Sequence, residues 1–75
     1  WVNYRMGNLD EAERLLRQAM QAFPDHEVAA HLGEVLWAQG KHQEARTLWR
    51  EALKQQPDSE ILRSTLLRLT GAETL

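Results

Sequence analysis

The residues of this chain whose types could do chemistry are His26, His31 and His42, together with the carboxylates of Glu11, Glu13 and Glu44. Two imidazoles on one ridge of a helix could hold a metal, and that geometry needs them four residues apart. His26 and His31 are five apart and His42 lies across a turn, so no pair has the spacing and the three read as solvated or capping groups. Glu11 with Glu13, or Glu44 beside His42, could in principle act as acid and base. These carboxylates fall in the first turns of helices, where negative charge meets the positive end of the helix dipole, and that explains them without catalysis. The chain has no nucleophile with an evident base, no Gly-rich phosphate loop and no paired carboxylates in a cleft. Zero cysteine removes disulfides, thiolate chemistry and Cys-based zinc sites. The expectation is a chain with no catalytic residues, no bound metal and no cofactor.

The elements that must carry any functional side chain are helices. Leu9, Ala12, Leu15, Leu16, Ala19, Met20 and Phe23 form one apolar stripe at helical spacing, and Ala45, Leu48, Trp49, Ala52 and Leu53 form another. Val28, Ala29, Leu32, Val35 and Leu36 make an amphipathic stretch between them, and Ile61, Leu62, Leu66 and Leu69 make a last one. Gly7 and Gly40 suit left-handed backbone after a helix, while Pro24 and Pro57 stop the helices before them. Asn8, Asp25, and Asp58 or Ser59 could accept the first unpaired N–H groups of the next helices. The spacing predicts a stub at 1–6 and helices at 9–23, 26–39, 42–56 and 59–70.

Composition agrees. With 75 residues, 43% hydrophobic and 27% charged, the chain reads as one soluble helical unit with a small core. It opens on Trp1-Val2 rather than Met, which leads us to expect a fragment of something longer. A net charge of -2, with acidic and basic residues interleaved, gives no broad positive surface for nucleic acid. No apolar run approaches the ~20 residues that span a bilayer. Arg14, Arg17, Arg46, Arg50, Lys54 and Arg68, with Glu11, Glu13, Glu44 and Glu51 nearby, read as a solvated outer face of weak ion pairs.

The sequence repeats itself after 33 residues. That shift lays Tyr4 on Trp37, Gly7 on Gly40, Glu11 on Glu44, Ala12 on Ala45, Leu15 on Leu48 and Leu16 on Trp49. It continues with Arg17 on Arg50, Ala19 on Ala52, Pro24 on Pro57 and Asp25 on Asp58, and a third copy starts with Glu27 on Glu60 and Val28 on Ile61. A period of this size marks stacked repeats, in which each unit has an apolar face that a neighbour must cover. Gly33 and Ala45 are small enough for two helix backbones to approach closely, and Trp49 fills the space between adjacent pairs.

Leu32-Gly33, then Leu36, Ala45, Trp49 and Pro57, resembles the tetratricopeptide repeat pattern L-G-x2-Y, A-x3-F and P. The departures are Ala29 where the family often has Trp, Leu36 where it has Tyr, Leu16 in place of the larger aromatic, and a period one short of the usual ~34. The resemblance implies an all-α fold of antiparallel helix pairs stacked as a right-handed superhelix. It divides a single domain, 1–75, into a partial repeat at 1–25, a full repeat at 26–58 and a C-terminal capping helix with its tail at 59–75. The stretch from Glu27 to Leu62 also looks like the C-terminal repeats of tetratricopeptide lipoproteins of Gram-negative bacteria. Those are outer-membrane-tethered scaffolds or adaptors, and that similarity would imply the periplasm.

Tetratricopeptide arrays usually bind peptides or protein surfaces along a concave face formed by the first helix of each pair. By resemblance the residues facing it are Tyr4 and Arg5 from the stub, Glu27, Ala30, His31, Glu34, Trp37 and Ala38, and then Glu60, Arg63 and Leu67. Trp37 has two readings: an aromatic anchor for a partner, or a ring that packs over Tyr4 and seals the unit. Some members grip a terminal carboxylate with Lys, Asn and Arg; Ala30, His31, Glu34, Glu60 and Ser64 occupy those positions here, so that clamp is absent. The implied function is a non-enzymatic scaffold or adaptor segment that binds a protein or peptide. Two alternatives stand beside it: a structural cap with no ligand, and a homodimer formed through the N-terminal face.

Overall fold

A computed structural model of the chain describes residues 8–71. Four α-helices follow one another: α1, Leu9–Ala22; α2, His26–Ala38; α3, His42–Gln55; and α4, Glu60–Thr70. Their ends fall within one residue of those the periodicity predicts. The stub at 1–6 and Gly7 lie outside the described residues. Among the described residues there is no strand.

The turn between α2 and α3 shows why the chain reverses there. Gly40 has φ of +83°, its N–H bonds the Trp37 carbonyl at 3.0 Å, and the Lys41 N–H reaches the Leu36 carbonyl at 2.8 Å. This is the Schellman arrangement, which satisfies the last carbonyls of α2 and needs a residue without a Cβ at the left-handed position. At the other ends the expected caps are only partly present. The Ser59 hydroxyl accepts the Leu62 N–H at 3.2 Å and caps α4, whereas neither Asn8 nor Asp25 makes a side-chain cap bond. Asp58 therefore yields that role to Ser59.

The helix α2 lies at the centre, packed against α1, α3 and α4, while no Cα of α1 comes within 8 Å of one in α3. Short turns make consecutive helices antiparallel. Ala29, Leu32, Val35 and Leu36 of α2 are buried with Trp49 of α3 and Leu62 and Leu66 of α4. Gly33 has a different use from backbone approach alone: a methyl at this position would collide with the indole of Trp49, which occupies the space the glycine leaves. The stripe predicted on α1 is covered only in part. Ala12 is buried and Leu16 and Met20 pack on the core, but Leu15 is 50% exposed and Phe23, just past the helix end, is 74% exposed. Both lie where no described helix covers α1.

Candidate functional site

The face formed by α2 and α4 carries the residues expected to meet a partner. Glu27 and Ala38 are exposed on α2, His31 and Trp37 are half-buried, and Arg63 and Leu67 are exposed on α4. Leu67 is an aliphatic side chain left half in water, at 50% exposure. Ala30 departs from expectation: it is 1% exposed, held inside the core cluster, and offers a partner nothing. Tyr4 and Arg5 lie outside the described residues.

The electrostatic centre of this face is Glu34. Its side chain is only 13% exposed and forms an ion pair at 2.8 Å with Nη1 of Arg68, while Nδ1 of His31 lies 3.7 Å away. Arg68 was expected on the outer face among other ion pairs; it instead reaches across the seam from α4 to α2. The spacing of the sequence carries no sign of this pair, because it depends on the angle at which α4 lies on α2.

Trp37 sits on α3. Its ring stacks on His42 with centroids 3.9 Å apart and planes 15° off parallel, and it tilts against Trp49 at 5.8 Å. The Arg46 guanidinium carbon is 5.4 Å from the ring centroid, a cation–π distance, while Arg46 itself stays exposed. The contact with Tyr4 lies outside the described residues. Much of the Trp37 ring is thus used within the α2–α3 pair.

The tetratricopeptide repeat pattern matches residues 4–69. The chain belongs to the tetratricopeptide repeat family. It is 69% identical over 74 residues, 99% of this chain, to the TPR repeat-containing protein PA4667 of Pseudomonas aeruginosa. The chain spans 12% of that relative's length. Tetratricopeptide repeats are a non-catalytic type of module and mediate protein–protein interaction.

Two side-chain clusters in this tetratricopeptide segment bear on stability rather than recognition. Asp25, His26 and Ser59 converge: Nδ1 of His26 is 2.6 Å from the Ser59 hydroxyl, and Nε2 is 3.6 Å from Asp25. The trio has the residue types of a hydrolase, but Ser59 is 6% exposed and its oxygen already takes the Leu62 N–H, so the hydroxyl is a cap and not a presented nucleophile. At the opposite end of α1, Glu13 is held by Nε of Arg17 at 2.7 Å and Nζ of Lys41 at 3.1 Å, beside a 3.0 Å bond from Gln39 to Asp10. The Arg17 bond, with help from Lys41 and Gln39, keeps the Glu13 carboxyl below its ordinary value despite the opposing effect of burial. This cluster fastens α1 to the α2–α3 turn.

Proposed function

We propose that this chain is a non-enzymatic scaffold segment of a longer tetratricopeptide array, gripping a protein or peptide on the concave face of α2 and α4. The observation that carries the reading is the exposed Leu67 next in the chain to Arg68, whose ion pair with Glu34 ties α4 to α2: an apolar side chain beside a polar pair. Such a mixture suits a partner surface with an aliphatic or aromatic side chain next to a hydrogen-bonding group. Glu27, His31, Trp37, Ala38 and Arg63 are the other described members of the proposed set, and Tyr4 and Arg5 join them by repeat position. Ala30 is withdrawn from the set because it is buried. Placement in the periplasm rests on the sequence resemblance alone.

The test is quantitative capture from the source cell with the wild-type chain, Leu67→Glu and Arg63→Glu. These positions are exposed, so the fold should survive. Partners held by the wild type and released by both variants support the concave reading; an identical set on all three removes it.

A second reading is favoured by Leu15 and Phe23, which leave α1 with an uncovered apolar edge. In it, the chain pairs with a copy of itself through α1. Sedimentation of the wild type and Leu15→Glu decides: a dimer lost in the variant supports it, and a monomer in both ends it.

A further inference from the structure

The helix α2 has a second side. Residues two apart on a helix point about 200° apart, so Leu36 faces away from Glu34 and from the concave surface. On Leu36's side the gap between α1 and α3 is open, because no Cα of either helix comes within 8 Å of the other. Two concavities of about 290 and 410 Å³ lie in this gap and are neighbours, both lined by Leu48 and Glu51. The floor is apolar: Met20, Leu36, Leu48 and Ala52. The groove runs along α3 from Gln43 to Gln56, roughly 20 Å at 1.5 Å per residue, the span of about six extended residues.

The rim is acidic. Asp25, Glu44 and Glu51 line it against one guanidinium, Arg17, whose charge Glu13 already holds at 2.7 Å. The Glu44 side chain makes no hydrogen bond or ion pair among the described residues. Among the described residues Glu51 pairs only with Lys54, at 3.4 Å with both side chains more than half exposed, a pair that water screens. Asp25 faces His26 at 3.6 Å. On the concave side, by contrast, Arg68 satisfies Glu34.

We infer that this α1–α3 groove is a second docking surface, on the convex side, for a segment of a partner protein that seats aliphatic side chains between flanking lysines or arginines. The apolar floor supplies burial for the aliphatic groups, and the unmatched carboxylates select basic flanks over acidic ones.

The experiment titrates the full chain with a short peptide of alternating Leu and Lys, and separately with its Leu–Glu counterpart, while amide shifts are followed by NMR. The expected result is saturable shifts at Thr47, Leu48, Glu51 and Ala52 with the Lys peptide, none with the Glu peptide, and weakening as salt is raised. The variant Glu44→Lys/Glu51→Lys changes two exposed positions, keeps the helical spectrum, and should weaken the Lys peptide about tenfold or more. The inference is overturned by equal binding of both peptides, by no shift with either, or by shifts confined to His31, Glu34 and Leu67. It is also overturned if groove amides shift with protein concentration alone, which would make a second copy the occupant. Because Leu67→Glu and Arg63→Glu leave this groove intact, failure here and failure of the concave reading are separable.

Discussion

The imidazole of His26 and the hydroxyl of Ser59 are 2.6 Å apart and 33 residues apart, a separation equal to the internal repeat. They stand at the starts of α2 and α4, so the bond ties equivalent ends of two helices related by the 33-residue period. Ser59 also accepts one of the free N–H groups in the first turn of α4, that of Leu62 at 3.2 Å. One buried hydroxyl therefore starts a helix and sets how the next repeat lies on the last.

Removing that hydroxyl should cost more than a cap alone. Ser59→Ala is expected to lower stability by about 1–2 kcal/mol, measured by urea denaturation followed by circular dichroism. Combining it with His26→Ala should give a coupling of about 0.5 kcal/mol or more, since each variant removes the same bond. Strictly additive losses would show that the two side chains act independently.

Trp49 and Gly33 form a matched pair of large and absent side chains. Trp49→Ala should cost about 3–5 kcal/mol and unfold most of a domain this small, because the ring is fully buried. The Trp49 N–H has no hydrogen-bond partner among the described residues. Trp49→Phe discards that unpaired donor along with some buried area, so its cost should stay near ~1 kcal/mol. Gly33→Ala should destabilise through the collision with the indole, and Gly33→Ala with Trp49→Leu should recover part of the loss. Thermal melts of the set would contradict the assignment if Gly33→Ala were neutral in the wild-type background.

The helix limits were legible because punctuation acts locally: Pro24, Gly40 and Pro57 impose their backbone restrictions whatever lies around them. Burial of Trp49 and Leu36 was legible because the apolar stripe and the repeat agree at those positions. Exposure of Leu15 and Phe23 was not, since a stripe records which side wants cover and not whether a described neighbour provides it. The bonds of Ser59 to His26 and of Arg68 to Glu34 depend on the relative tilt of α2 and α4, which the spacing of residues within one helix does not encode. The open groove between α1 and α3 has the same origin, because its width is set by how both helices sit on α2.

Acid should loosen α1 through Glu13. Its pKa in the folded chain lies below the ordinary 4.5, chiefly because of the Arg17 bond, so the ionised carboxylate stabilises the fold. That contribution is fully present above pH 4.5 and is lost as the pH falls through the lowered folded value. Glu13→Gln should flatten this part of the stability profile while leaving its form near neutrality unchanged. Equilibrium unfolding of both proteins across the acid range measures it, and parallel profiles would contradict the role given to Glu13.

The pair of Glu34 and Arg68 allows a test in which two changes should hurt less than one. Arg68 is 55% exposed, so solvent screens its charge and the pair itself contributes under about 1 kcal/mol. Glu34 is in a different position: its side chain is 13% exposed, and Arg68→Ala would leave the carboxylate largely out of water, with the His31 ring 3.7 Å away. The loss from Arg68→Ala should then reflect mainly the stranded carboxylate rather than the bond. Adding Glu34→Gln removes the charge that was stranded, so the double variant should be at least as stable as Arg68→Ala alone. Chemical denaturation of the single and double variants checks this. A double variant weaker than Arg68→Ala by the full cost of Glu34→Gln would mean that Glu34 earns its place through contacts other than Arg68.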